Sequence, residues 1–266
     1  MNIRVMCSSS NNVNARIIKR KLIENGFNVV DSQADVVFIV GGDGTFLRVL
    51  RKLQYDNFPL YVGINCGNLG YLQDILFSEV DKLIQFLKEN TDFETNKMML
   101  ADILYYYKDG KVIEDKAINE LQISGKHYHK IKFELTDCND FKETVLSSGI
   151  VFATPYGSTA YNKSLGGPII CQGVDTLCAT LFAPIQNSKT KDYIQNSLIG
   201  NGFSFKLLSD FNDVEVIIDG QNVDIDFNNI EYIKISIGKN SIFKLNFNKK
   251  SYSKNMLEKM IKGDLY

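Results

Sequence analysis

The residues Gly41-Gly42-Asp43-Gly44-Thr45 have the types and spacing to work on a phosphate. Glycines let a backbone take positive φ and approach a ligand without Cβ clashes. At the carboxyl end of a strand and the start of a helix, such a loop aims free N–H groups and the helix dipole at one spot, an arrangement that favours phosphate. An aspartate there would repel a phosphate that was only bound. It suits a group that accepts a proton from a hydroxyl, or holds a metal, during phosphoryl transfer. A tight turn in which Asp43 caps the following helix is the structural alternative.

A second cluster runs from Ala153 to Pro168 and gathers hydroxyls, two tyrosines and three glycines around one bend. Small residues admit a flat ligand, tyrosines stack on a base and hydroxyls give hydrogen-bond selectivity. A plain connection between strand and helix is the alternative. Asn119-Glu120 interrupts the apolar run Ala117–Ile123. Neighbouring strand residues face opposite sides, so one of the pair can face a cleft and hold ribose hydroxyls. On this local pattern alone an exposed strand end is the better reading. His127 and His129 share one face if they lie in a strand, but no third ligand accompanies them and flanking lysines repel a cation, so a surface turn is expected. With only these histidines in the chain, triad hydrolysis is disfavoured.

Strands and helices alternate in the first third. Ile3–Ser8 reads as a strand, Asn12–Asn25 as a helix ending at Gly26, and Asp35–Val40 as a strand buried on both faces. Thr45–Leu53 reads as a helix, Leu60–Asn65 as a strand and Ser78–Glu89 as an amphipathic helix. This rhythm predicts a Rossmann-like α/β domain with a doubly wound parallel sheet over residues 1–97. Beyond it the period changes to short strands and turns. Strands are expected at Ile103–Tyr107, Lys111–Glu114, Ala117–Ile123, Lys130–Thr136, Phe141–Leu146, Thr176–Ala183 and Ser204–Leu208. They continue at Val214–Asp219, Val223–Phe227, Tyr232–Ile237 and Ile242–Phe247. An all-β sandwich over residues 98–250 follows. Ser251–Lys262 carries a closing helical pattern.

The chain has 266 residues, 44% hydrophobic and 23% charged, an ordinary globular balance. A net charge of -1 gives no bulk reason to expect nucleic acid or an anionic membrane as partner. No apolar run approaches the roughly 20 residues that span a bilayer, and the first residues do not read as a signal peptide. Five cysteines, odd in number and without a Cys-x-x-Cys, point to reduced thiols and a cytoplasmic location rather than a disulfide framework or a zinc site.

Gly41–Thr45 resembles the loop shared by NAD kinases, diacylglycerol-type lipid kinases and, loosely, phosphofructokinases. Its combination with Asn119-Glu120, with the series from Thr154 through Gly157-Ser158-Thr159-Ala160-Tyr161-Asn162 and Ser164 to Gly166-Gly167-Pro168, with Asp219-Gly220-Gln221 and with Gly67-Asn68-Leu69-Gly70-Tyr71-Leu72 is similar to the NAD kinase family. The resemblance implies phosphorylation of NAD to NADP from ATP or polyphosphate with magnesium or another divalent cation. It also implies a homotetramer, with NAD between the domains and completed by a neighbouring subunit, and a terminal helix, residues 251–266, packed on the first domain.

By the same resemblance Asp43 is the base acting on the adenosine 2′-hydroxyl. Gly41, Gly42, Gly44 and Thr45 form its loop, and Asn119 and Glu120 hold the adenosine end. Thr159, Ala160, Tyr161, Asn162, Lys163 and Ser164 line the dinucleotide site, joined by Ala183 and Gln221. No residue is assigned as a metal ligand. One departure stands out: where many members carry Gly-Asp-Gly, this chain has Ser147-Ser148-Gly149, so Ser148 brings no charge to the dinucleotide. Two rivals remain, a lipid kinase with the same loop and a dinucleotide sensor without chemistry. The polar Thr154–Pro168 segment disfavours the first and Asp43 the second.

Overall fold

The structure is a computed structural model. It describes residues 1–247 apart from 68–69, 91, 137–139, 141, 172, 186–196, 201–203, 209–213 and 228. The helix expected over 251–262 lies outside the described residues. Two compact units divide the chain: Met1–Met98 joined by the chain from Ser241, and Met99–Asn240.

The first unit is a parallel sheet wrapped by helices. Its elements are β1 (Asn2–Cys7), α1 (Asn12–Glu24), β2 (Asn28–Val29), β3 (Val36–Val40), α2 (Asp43–Lys52), β4 (Leu60–Asn65), β5 (Ile75–Leu76) and α3 (Val80–Glu89). In order β2–β1–β3–β4, all pairings are parallel. All five residues of β3 are buried, as a strand covered on both faces requires. Phe38 and Val40 share a core with Ile18 and Leu22 of α1 and Leu83 and Leu87 of α3. α2 packs on β3 and β1 with Phe46 and Leu50 fully buried. This stacking leaves the carboxyl ends of β1, β3 and β4 to carry loops, the position at which open α/β sheets bind ligands.

The second unit is antiparallel. Its strands are β6 (Thr95–Tyr107), β7 (Val112–Ala117), β8 (Glu120–Gly125), β9 (Ile131–Thr136), β10 (Lys142–Ser147) and β11 (Gly149–Ala153). After the short helix α4 (Tyr161–Ser164) come β12 (Leu177–Phe182), β13 (Ser197–Ile199), β14 (Ser204–Leu208), β15 (Val214–Ile218), β16 (Gln221–Asn222) and β17 (Ile230–Leu245). One sheet runs β13–β12–β11–β8–β15–β16, and the other is built from β10, β9, β14 and β17 with β6 and β7. Inward residues of both, among them Ile103, Leu121, Phe133, Phe152, Leu181 and Ile233, form one core, the sandwich that alternating strands favour.

Several elements differ from expectation, among them β11 and β13, for which no strand is expected, and β6, which begins at Thr95 rather than Ile103. Residues 223–227 alternate apolar and acidic side chains but form no strand: only Gln221 and Asn222 ladder with β15. Val223 is buried and Ile225 and Phe227 are partly buried against the core, so the alternation reflects burial on one side, which needs no strand partner. The strands expected at 232–237 and 242–247 are one strand, β17. It stays extended through Gly238-Lys239-Asn240, where the Lys239 N–H donates to Asp102 of β6 at 3.0 Å. Finally, β17 crosses between the units: its last residues pair in parallel with β4, Phe243 with Leu60 and Lys244 with Tyr61. Among the described residues no helix is long and apolar enough to cross a membrane.

Candidate active site

In the first unit the buried strand β3 delivers the chain into Gly41-Gly42, and α2 starts at Asp43, two residues before the expected start. Gly42 and Gly44 are exposed, Asp43 is half-buried and Thr45 is buried, so exposed backbone at the mouth of a helix surrounds one carboxylate. Asp43 is not the helix cap: Gly42 holds that position. The Asp43 carboxylate instead takes two backbone hydrogen bonds from residues 28 and 29 positions away. Tyr71 N–H donates to Oδ2 at 2.8 Å and Leu72 N–H to Oδ1 at 3.0 Å. A Cβ on Gly70 would overlap the carboxylate, so the close approach needs glycine there. With one oxygen fixed by each N–H, the carboxylate keeps one orientation and retains free lone pairs for a further donor.

Beside this loop lies a cavity of about 410 Å³. Arg4 of β1, Arg48 and Lys52 of α2, Ser8, Asp31 and Thr45 contribute to its walls. Three cations around one hollow suit a polyanion. Sequence reading missed them; the available signal was Arg48 and Lys52 at i, i+4, which share a helix face.

In the second unit the polar pair at 119–120 opens β8, and Glu120 is 7% exposed. The reading of an exposed strand end is therefore corrected. Asp219 explains the turn inward: its carboxylate accepts the backbone N–H groups of Ile118 at 3.0 Å, Asn119 at 2.7 Å and Glu120 at 3.2 Å. From the other side Thr154 N–H donates to the Asn119 carbonyl at 2.9 Å, and the Thr154 hydroxyl donates to the Ile118 carbonyl. Gly157 passes so close to the Asn119 backbone that any Cβ would collide with it. Pinned from both sides, the pair presents Glu120 Oε2 and Asn119 Oδ1 as buried oxygens with no hydrogen-bond partner among the described residues. Such atoms are costly unless a ligand or water meets them. Burial first, and the Asp219 charge second, push the Glu120 carboxyl from 4.5 up to about 8. At neutral pH it is a protonated donor.

The Thr154–Pro168 segment divides its polar groups. Several crosslink the loop itself. Asn162 Nδ2 donates to the carbonyls of Ser158 and Pro168 at 3.3 and 3.0 Å, and Asn162 Oδ1 accepts from Thr180 Oγ1 at 2.6 Å. Thr159 Oγ1 donates to the Tyr156 carbonyl at 3.2 Å. Asn162 is thus a fully buried brace, not a presented group. Tyr161, Lys163 and Ser164 are exposed and Ala160 is half-buried.

Ser148 is buried, its N–H donating to the Phe182 carbonyl and its carbonyl accepting from Gly125. Ala183 follows with φ of 51° and is exposed, and Gln221 opens β16 half-buried. His127 sits in a single 3₁₀ turn at φ of 54°, away from any strand pairing. Among the described residues, no three His, Cys, Asp or Glu side chains gather as a metal cage.

A glycine-rich strand-to-helix loop holding an oriented carboxylate, with a cationic cavity beside it, has the chemistry of a phosphate-handling site. Residues 3–91 match the ATP-NAD kinase N-terminal domain and residues 113–246 the ATP-NAD kinase C-terminal domain. The NAD kinase of Finegoldia magna is 31% identical over 98% of this chain and 97% of its own length. That of Ruminiclostridium cellulolyticum is 33% identical over 86% of this chain and 79% of its own. Among solved structures, yeast NADH kinase complexed with NADH superimposes with a TM-score of 0.85 at 16% identity, covering 100% of this chain and 88% of that one. The Archaeoglobus fulgidus NAD kinase in complex with ATP gives 0.76 at 22% identity, over 99% and 100%. The chain belongs to the NAD kinase family, enzymes that phosphorylate NAD to NADP with ATP.

Proposed function

We propose that Asp43 is the general base of this NAD kinase, and that the observation carrying this role is the pair of backbone N–H groups, from Tyr71 and Leu72, that orient its carboxylate. The 2′-hydroxyl of the adenosine ribose gives its proton to Asp43 as its oxygen bonds to the γ-phosphorus of ATP. The bond from that phosphorus to the β–γ bridging oxygen breaks, and ADP leaves. The exposed backbone at Gly42 and Gly44 receives phosphate oxygens, and Arg4, Arg48 and Lys52 offset the charge of the triphosphate. Gly41 and Thr45 hold the loop.

Glu120, as a donor, and Asn119, through its unpartnered carbonyl oxygen, hold the adenosine end of NAD. Thr159, Ala160, Tyr161, Lys163, Ser164 and Gln221 border the dinucleotide, with Ala183 and Ser148 nearer its other half. Asn162 acts by bracing that loop.

A divalent cation fits this donor set as a companion of ATP. A carboxylate lies at the phosphate loop, and magnesium that accompanies a triphosphate is held by substrate phosphates with one or two carboxylates. Asp43 is the side chain within reach of such an ion, which would supply charge neutralisation at the γ-phosphate. Polyphosphate as an alternative donor and a homotetrameric assembly belong to the same reading by family resemblance, and a cytoplasmic location by the scattered, odd-numbered cysteines. The test is Asp43→Asn assayed with NAD, ATP and magnesium by NADP-specific detection. Turnover should fall about 10²–10⁴-fold with the KM for NAD within about threefold; near-normal turnover would sink the assignment.

A further inference from the structure

Among the described residues of the first unit, Lys244 is the buried cation that the reaction itself does not use. Its side chain is 5% exposed. The ammonium donates to the Leu72 carbonyl at 2.6 Å, pairs with Asp74 Oδ1 at 2.8 Å and lies 4.9 Å from the centre of the Phe46 ring. Asp74 in turn accepts the Gly63 N–H of β4 at 2.7 Å through Oδ2.

These contacts converge on Asp43 by two routes. Leu72, whose carbonyl Lys244 holds, supplies one of the N–H groups on the Asp43 carboxylate. Phe46, under the ammonium, stands three residues beyond Asp43 in α2. Gly63 and Lys244 belong to strands that pair in the same sheet, so the loop from Tyr71 to Asp74 is moored to a rigid base.

A buried ion pair is a poor device for stability alone, because apolar residues of similar volume often do as well or better. Such a pair does fix one geometry, through directional charge-assisted bonds. We propose that Lys244 is a positioning residue of the phosphoryl-transfer site: it fixes the Leu72 peptide, and thereby the orientation of the Asp43 carboxylate toward the acceptor hydroxyl. The inference rests on Asp43 acting on that hydroxyl. A misplacement of about 1 Å at a reacting group can cost on the order of 10²-fold in rate, so loosening this mooring has a visible kinetic signature.

The experiment compares wild type, Lys244→Met, Lys244→Met/Asp74→Asn, Asp43→Asn and Lys244→Met/Asp43→Asn with NAD, ATP and magnesium, recording kcat, both KM values and the thermal midpoint. The double neutral variant retains an acceptor for Gly63 and leaves neither member of the Lys244–Asp74 pair charged, so it keeps the test open if Lys244→Met alone fails to fold. Expected is a loss in kcat of about ten- to a hundredfold in the folded Lys244 variants, with KM for NAD within threefold. In the Asp43→Asn background, removing Lys244 should bring less than a twofold further loss, because the group it orients is gone. Folded Lys244 variants that turn over within twofold of wild type overturn the inference, as does an equal loss in both backgrounds. Asp43→Asn turning over normally would instead strike the reading of Asp43, a separate outcome.

Discussion

Replacing Glu120 by Gln isolates the cost of burying an ionisable group at the start of β8. In the folded chain the carboxyl keeps its proton to about pH 8, against 4.5 for an unperturbed glutamate. Below pH 4.5 both states are protonated and the group is neutral toward stability. Between 4.5 and 8 the unfolded chain gives up a proton that the folded chain retains, so stability falls as pH rises through that window and the loss is complete above pH 8. At about 1.4 kcal/mol for each pH unit, the loss approaches about 5 kcal/mol. Glutamine has nearly the same shape and does not titrate. The two proteins should therefore match near pH 4.5, after allowing for the changed side chain, and diverge with a slope of about 1.4 kcal/mol per pH unit in favour of Glu120→Gln.

For a chain of this size about 5 kcal/mol corresponds to roughly 10–20 °C in the thermal midpoint. Urea unfolding at half-unit steps from pH 5 to 9 measures the divergence directly. Stability curves that run parallel across that range would refute the reasoning, since they would mean that Glu120 titrates alike in both states. The same protonation sets a limit on binding: KM for NAD in the wild type should rise above pH 8, while the variant, whose amide donates at every pH, stays level.

Arg48→Ala removes one of three cations around the cavity beside the phosphate loop; KM for ATP should rise about tenfold, the equivalent of about 1.4 kcal/mol, with kcat within about threefold, and an unchanged KM for ATP places the donor elsewhere. Ser148→Asp restores a charge at a position whose backbone is held by Phe182 and Gly125, so the side chain changes without moving the strand. Its KM for NAD should differ from wild type by at least threefold, and equality would show that Ser148 does not meet the dinucleotide.

The Gly41–Thr45 loop was legible because its residue types are concentrated: three glycines and an acid directly after five branched or aromatic residues leave few alternatives to a buried strand feeding a turn and a helix. The alternation of strands and helices gave the first unit, and the change to period two gave the sandwich. What sets the geometry of the site is spread too far along the chain to be read locally. Asp43 is held from Tyr71 and Leu72, and Asp219 reaches back 101 residues to Ile118. Without that reach, Asn119-Glu120 looks like an exposed strand end; the three N–H bonds to Asp219 and the Thr154 contacts on the other side explain its burial. Asn162 runs the other way: polar and inside a segment rich in hydroxyls, it faces inward because Ser158, Pro168 and Thr180 already use its amide. The run at 223–227 shows that alternation reports which side is buried and not whether a strand lies alongside.

The last residues of β17 have a consequence for how the enzyme is made. The first sheet borrows its edge at Leu60 and Tyr61 from Phe243 and Lys244, and the Leu72 carbonyl receives its donor from 172 residues downstream. During synthesis the first 98 residues leave the ribosome with the edge of β4 at Leu60 and Tyr61 open and Lys244 not yet made, the kind of exposed strand that invites wrong pairing. Closure must wait for nearly the whole chain, and contacts of such long sequence separation form slowly. A fragment ending at the boundary between the units would carry the entire Gly41–Thr45 loop and still lack the strand that completes its sheet.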